Sequence, residues 1–354
     1  MPELSNLPDL GTTGWIMILL VLVLAVSFDF INGFHDTANA IATVIATRVL
    51  SAGAAIIMAA LLNIVGALSG QAVAKTITGG LVDSAAVRDL QFVPSQLLVL
   101  AALTGAIIWN LITWYYGIPS SSSHALIGGV VGAGIAAVGL NHIVWSGLVQ
   151  KVVLPLVLSP VIGFIGAMLL TKLLLWLFGR SSPRLVGNVF RRAQLLSAAY
   201  MAFSHGSNDA QKTMGVMTLA LFSAGFHLSV DASGVPNIPW EVIVIAAIAM
   251  GLGTAAGGWR IIRTMGQRLV HLEPIHGFAA ETTAATIIET ASRLGFPLST
   301  THVISSSILG VGAARRLTGV RWGVAFNIIR AWIYTIPVTA VLAFLCYTLL
   351  DLVI

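Results

Sequence analysis

Gly117–Gly129 reads GIPSSSSHALIGG and Gly295–Ser307 reads GFPLSTTHVISSS. Each stretch places a glycine and a proline before a cluster of hydroxyls and a histidine, in a chain whose neighbouring residues are almost all apolar. Hydroxyls gathered at a proline-broken helix start can coordinate a desolvated oxyanion or a small cation, helped by the unpaired amides and positive dipole end found there. A second copy implies one site assembled from two halves, and this makes transport the first hypothesis.

Composition supports that setting. The 354 residues are 57% hydrophobic and only 9% charged, with a mean hydropathy of +0.94, unlike an ordinary soluble domain. Apolar segments recur at Trp15–Phe28, Ala52–Gly70, Leu97–Trp114, Val152–Phe178, Val242–Gly257 and Val324–Leu350. Each approaches or, with its flanks, reaches the ~20 residues that cross a bilayer as a helix. The chain therefore reads as an all-α polytopic membrane protein. Its first 15 residues hold Glu3 and Asp9 but no Lys or Arg, so they lack the basic start of a secretory signal and the first span is expected to be retained. The single cysteine, Cys346, excludes an intrachain disulfide and reads as a small apolar residue of the last span. The net charge of +5 comes from basic residues scattered among loops without a nucleic-acid motif, which fits positive-inside bias better than nucleic-acid binding.

Those loop charges orient the chain. Lys172, Arg180, Arg184, Arg191 and Arg192 surround the most polar central connection, and Arg260, Arg263, Arg268, Arg315, Arg316 and Arg321 form two further basic groups, all expected on the cytoplasmic side. Gly225–Trp240 holds Asp231 and no basic residue, and the chain ends are acidic or neutral, so these are expected outside.

The duplication acquires a direction from this. His124 aligns with His302 at an offset of 178 residues, and upstream NGFHDTANA (Asn32–Ala40) resembles SHGSNDAQKT (Ser204–Thr213), with Asp36 falling on Asp209 at an offset of 173. A first half that starts outside and a second that starts inside run oppositely through the bilayer. The expected architecture is an inverted-topology repeat, with residues 1–178 as the first half, 179–192 as a cytoplasmic connection and 193–354 as the second, both termini outside. Such transporters carry about 10–12 transmembrane segments here, with discontinuous helices meeting at a site near the midplane. Phe28–Ala40 and Phe203–Met214 interrupt apolar runs with Asp, Asn, His and Gly, and are expected as two further breaks.

Candidate anion ligands are Ser121, Ser122, Ser123, Ser299, Thr300 and Thr301, whose hydroxyls add donors without adding charge; for one motif alone, helix packing explains them equally well. His124 and His302 either orient these hydroxyls or titrate near neutrality. Asp36 and Asp209 are expensive at membrane depth and so suggest a coupling site, binding a hard cation with Asn39 or Asn208, or carrying a proton. Lys212 matches Asn39 in the repeat and would neutralise Asp209, replace a cation or touch the anion. Glu281 interrupts another apolar span without an acidic counterpart and is a second candidate carrier, while Lys75 and Glu289 read as interfacial.

At these residues the chain resembles the PiT family of inorganic phosphate transporters, through NGFHDTANA, AFSHGSNDAQKTMG, GIPSSSSH and GFPLSTTH, with GFAAETTAA (Gly277–Ala285) in support. The resemblance covers both halves. It implies secondary phosphate uptake coupled to Na⁺ or H⁺ by alternating access, without a cofactor or enzymatic step, in the cytoplasmic membrane and often in a homodimer. The anion site would be the six hydroxyl residues, and the coupling site Asp36, Asn39, Asn208 and Asp209, with Glu281 nearby; Na⁺ would fall to Asp36, Asn39 and Asp209. The chain departs from sodium-coupled relatives in having Lys212 where they repeat an asparagine and Lys75 where they carry glutamate, which favours H⁺. Rival readings are a sulfate permease of the same fold, uptake of a metal-phosphate complex, and a divalent-cation transporter using His205 with Asp209 and His35 with Asp36. An intramembrane hydrolase built on Ser121 or Ser299 is the remotest, since an enzyme needs no second copy.

Overall fold

The structure is a computed structural model that describes residues 10–79, 90–232 and 234–353; Glu3 and Asp9, which entered the orientation of the N-terminus, lie outside them. The described residues are almost entirely helical: α1 (Gly11–Ala46), α2 (Ala52–Ala67), α3 (Ala72–Gly79), α4 (Phe92–Tyr116), α5 (Ser122–Val138), α6 (Leu154–Phe178), α7 (Pro183–Ser223), α8 (Trp240–Ala256), α9 (Trp259–Arg263), α10 (Pro274–Arg293), α11 (Thr300–Arg315) and α12 (Trp322–Val353). The chain turns its polar groups inward and its apolar groups outward. Asp29, His35, Asp36, Asn39, Asp209 and Lys212 are buried, whereas Leu19, Ile57, Leu169, Trp176, Ile333 and Leu349 are exposed. That distribution suits lipid, where backbone and side-chain polar groups must find partners inside the protein.

Among the described residues four helices are long and apolar enough to cross a membrane: α1, α4, the segment Trp145–Phe178 that contains α6, and α12. The count reaches 6 if the bent pairs α2–α3, at 68°, and α8 with the α9 segment, at 60°, each form one span. The expected 10–12 segments are therefore met only as helical pieces, because α5 and α11 are 17 and 16 residues long. The pieces follow one order twice. A long helix (α1, α7) leads to a bent pair (α2–α3, α8–α9), then a helix ending before a left-handed glycine (α4, α10), a helix beginning at hydroxyls (α5, α11) and a last long helix (α6, α12). The halves interlock in the same exchanged way: α5 packs on α12 and α11 on α6, while α1 packs on α8 and α2 on α7.

One expectation is corrected. Phe28–Ala40 and Phe203–Met214 are not breaks; α1 runs unbroken for 36 residues and α7 for 41. Neither motif contains proline, and a helical glycine costs only about 1 kcal/mol, far less than unpairing backbone in a membrane. Their polar side chains are satisfied without disturbing the helices: the Thr37 hydroxyl donates to the Gly33 carbonyl at 2.7 Å. The two helices cross antiparallel. Asp29 meets Thr213 at 2.9 Å, while further along α1 Asp36 lies beside Asp209 and His205, earlier residues of α7.

The hydroxyl motifs are breaks, and both are made alike. After α4 the Ile118 amide donates to Thr113 O at 2.9 Å, and after α10 the Phe296 amide donates to Ala291 O at 2.9 Å, the six-to-one closure of a helix end. The residue that turns the chain is glycine in each, Gly117 at φ 65° and Gly295 at φ 75°, and proline follows two residues later to bar helix continuation. An L side chain at such a φ costs roughly 1–2 kcal/mol. Gly295→Ala is therefore expected to lower the melting temperature of the detergent-solubilised protein, whereas Gly187→Ala, in α7 with open space around its Cβ, should leave it unchanged or raise it. Equal effects at both positions would contradict this account of the turn.

Candidate functional site

The two hydroxyl motifs form matching helix starts that face each other. Ser121 caps α5 by accepting from the His124 amide at 3.1 Å, and Ser299 caps α11 by accepting from the His302 amide at 3.2 Å. The prolines lie just ahead of the first turn, not within it as expected, because the caps intervene. The amides of Ser122, Ser123, Thr300 and Thr301 have no acceptor within their own helices. The rings of His124 and His302 lie 4.8 Å apart, which brings the two positive dipole ends together, an arrangement that favours an anion between them. His302 also stacks on Trp332 at 4.0 Å, and the Trp332 indole donates to Pro119 O at 3.0 Å. The histidines thus tie α12 and both hydroxyl turns into one layer.

Helices α1 and α7 supply the floor. Asn39 donates to Thr301 at 2.9 Å and to Thr300 at 3.3 Å, and the Thr300 hydroxyl donates to Asp209 Oδ2 at 2.8 Å. Lys212, only 1% exposed, pairs with Asp209 Oδ1 and donates to Ser123 Oγ at 2.5 Å and Leu298 O at 2.9 Å. The Ser122 hydroxyl has no protein partner among the described residues. Two facing helix ends, six hydroxyls and one ammonium make a donor-rich cradle of low net charge, able to hold a tetrahedral oxyanion and release it.

Beside the cradle Asp36, His205 and Asp209 each present an atom within 4.8 Å of the others. Hydrogen-bond direction decides what this cluster can hold. Thr254 Oγ1 donates to Met250 O, so it accepts from Asn63 Nδ2 at 2.8 Å, and Asn63 Oδ1 accordingly faces His205 Nδ1 at 3.1 Å. The ring hydrogen is thereby drawn to Nδ1, and Nε2 lies 3.1 Å from Asp209 Oδ2. In the first half His35 Nε2 lies 3.1 Å from Thr113 Oγ1 and 3.4 Å from Ser120 Oγ, and His35 Nδ1 lies 2.6 Å from Asp36 Oδ1. At His205 the contact sets a nitrogen lone pair against a carboxylate unless one hydrogen lies between them. The set suits a proton better than a hard cation, since nitrogen is a poor ligand for one and Lys212 already occupies Asp209.

Not every expected residue joins the site. Glu281 is buried elsewhere, accepting from Thr43 and Ser197 at 2.5 Å each and from Gln194 at 3.1 Å; α10 meets α1 there two helical turns past Asp36. Asn208 donates to Ser292 on α10 at 2.8 Å, because in an unbroken helix it is rotated about 100° from Asp209. Lys75 pairs with Asp231 at 3.1 Å and Glu289 with Arg293 at 2.8 Å, both at partly exposed positions. Sequence reasoning missed Asn63, Thr113 and Thr254, which have no special spacing, and Asp29, whose charge directly after the apolar run Trp15–Phe28 was a usable signal.

Removing one partner of a buried ion pair strands the other charge, at about 3–5 kcal/mol. Lys212→Met alone should strongly lower the melting temperature in detergent, and Asp209→Asn added to it should restore most of the loss. Simple additivity of the two would show that the pair is not a unit.

Similarity to known proteins agrees with the cradle. The model of the "Phosphate transporter family" matches residues 32–186 and 180–343. A Bacillus subtilis protein, "Probable low-affinity inorganic phosphate transporter", is 46% identical over 338 residues, covering 96% of this chain and 98% of its own. A Rhizobium meliloti protein of the same description is 46% identical over 344 residues, covering 97% and 99%. A solved structure, "The sodium-dependent phosphate transporter", superposes with a TM-score of 0.86 at 28% identity, over 96% of this chain and 100% of that one. These relatives are transporters and not enzymes, so the hydroxyl cradle does not act as a hydrolase. From motif, fold and relatives alike, the chain is a multi-pass membrane protein belonging to the phosphate transporter family.

Proposed function

We propose that this phosphate transporter is an H⁺-coupled symporter that imports inorganic phosphate across the cytoplasmic membrane by alternating access. Phosphate would bind between Ser121, Ser122, Ser123, Ser299, Thr300 and Thr301 and the amides of the two helix starts. The membrane potential opposes an entering anion by about 2.3 kcal/mol per charge per 100 mV, and co-transported protons offset this. The observation that carries the proton reading is the pair of histidine–carboxylate contacts, His35–Asp36 at 2.6 Å and His205–Asp209 at 3.1 Å, each of which can share a proton between ring nitrogen and carboxylate. Lys212 supports it by placing an ammonium on Asp209.

The halves, residues 1–178 and 193–354 joined by 179–192 on the cytoplasmic side, would be inverted repeats with both chain ends outside. The repeated order of helices, their exchanged packing and the antiparallel crossing of α1 and α7 support this. Rocking of one half against the other would expose the cradle to each side in turn. Phosphate entering it competes for Lys212 and the hydroxyls, loosening the Lys212–Asp209 pair and tying binding to the protonation of the cluster. His124 and His302 position the two helix ends. Assembly as a homodimer belongs to the same reading.

A second reading rests on the same cluster: Na⁺ held by Asp36, Asp209 and the Asn39 carbonyl oxygen, which has no partner among the described residues. The solved relative, a sodium-dependent phosphate transporter by name, favours it, and Lys212 opposes it.

Uptake of labelled phosphate into proteoliposomes under separately imposed gradients separates them. An inward H⁺ gradient is expected to drive uptake and a Na⁺ gradient not; a Na⁺ requirement in the wild type would overturn the proton reading. Ser122→Ala and Thr300→Ala should each raise KM roughly tenfold, since a hydrogen bond to a charged group contributes about 1.5–3 kcal/mol. Unchanged uptake in both would remove the anion site from the hydroxyl motifs, and competition by sulfate reports how strictly the cradle selects phosphate.

A further inference from the structure

A buried carboxylate outside this site is still unexplained. Asp29 on α1 is 0% exposed; its Oδ1 accepts from the Thr213 hydroxyl at 2.9 Å, and its Oδ2 has no hydrogen-bond partner among the described residues. Asn32, one turn on, also lies beside Asp29, and its amide reaches the Met250 sulfur at 3.9 Å. Asp29 lies seven residues before Asp36, so it shares that face of α1 about 10 Å nearer the start of the helix. Thr213 lies one turn beyond Asp209 and directly after Lys212. Asp29 therefore stacks as a further layer over the cradle, on the side where α1 begins.

Among the described residues no cation is free to pair with it. Lys212 has three N–H donors, already given to Asp209, Ser123 and Leu298 O. The charged groups acting on Asp29 are Asp209 and Lys212 of α7. Of the other helices packed on α1, α2 and α4 carry no charged residue and α8 only Glu241 in its first turn. His124 belongs to the cradle, Glu281 of α10 is bonded beside Thr43, and the arginines of the α9 segment adjoin α1 at its far end, where Gly258 and Gly266 touch Phe34 and Ala42. An ionised carboxylate so placed is strongly disfavoured.

We propose that Asp29 is the outer proton-binding site of the transport cycle. A proton from the side on which α1 begins adds to Oδ2, forming the carboxylic acid, while Oδ1 keeps its bond from Thr213. The proton stays on Oδ2 while phosphate occupies the cradle; the O–H bond breaks again, and the proton leaves as H⁺ to the inner side, once the halves have rocked and phosphate has been released there. No other bond changes and charge is conserved. This rests on the H⁺ reading above and adds a carrier that has no counterpart in the second half, where the matching position is Ala202.

The test uses the full chain in proteoliposomes, with wild type, Asp29→Asn and Asp29→Glu. Asp29→Asn, which imitates the protonated state, should lower H⁺-driven net uptake about tenfold, within the range of an energetic coupling between two sites, and flatten its pH profile, while phosphate–phosphate exchange continues. Asp29→Glu should keep the gradient response. Full gradient response in Asp29→Asn would overturn the assignment while leaving the H⁺ reading intact. Loss of exchange in both variants would make Asp29 a structural residue and equally overturn it. A wild type indifferent to the H⁺ gradient would remove the H⁺ reading itself, and the role of Asp29 with it.

Discussion

The ammonium of Lys212 is the knot of the molecule. It leaves α7, neutralises Asp209 on its own helix, and reaches Ser123 at the start of α5 and Leu298 O at the start of α11. One cation thus holds together the two helix ends that face each other and the acidic cluster beneath them. Asn39, Thr300 and Trp332 bind the same parts together, and Lys212 adds an ionic link among them, so that in the proposed reading the anion site and the proton site share a side chain.

The economy of charge in the cradle follows from its task. A site that met phosphate with several arginines would bind strongly and release slowly. Hydroxyls, orphan amides and one already engaged ammonium supply directional donors at little net charge, so affinity can rise and fall with small movements of two helices. The turn that makes each start is built the same way twice, from a left-handed glycine, a six-to-one closure and a proline. This brings the two sets of donors face to face in a fold that leaves little backbone unpaired elsewhere.

Much of this was legible in the residues. The repeated Gly-x-Pro and hydroxyl clusters indicate broken helices, and Ser121 and Ser299 do cap α5 and α11. The paired Asp36 and Asp209 do lie side by side. Phe28–Ala40 and Phe203–Met214 looked like breaks because polar residues there have no visible partners along the chain; the partners are in other helices. Continuity in turn decides direction: in an unbroken α7, Asn208 must face α10 while Asp209 faces the cradle. Glu281 carried the right chemistry but lies along α1 from the site, a placement set by how α10 packs. Asp29 carries no repeat signal, because its partner position is Ala202.

The central claim is that one phosphate is held by both halves at once. Placing a single cysteine at Ser122 or at Thr300, with Cys346→Ala removing the native thiol, lets phosphate protection against a thiol reagent be measured from each half separately. The account predicts that phosphate protects both positions, with the same half-protecting concentration. Protection of one position only, or half-protecting concentrations differing by more than about tenfold, would show two independent sites and contradict it.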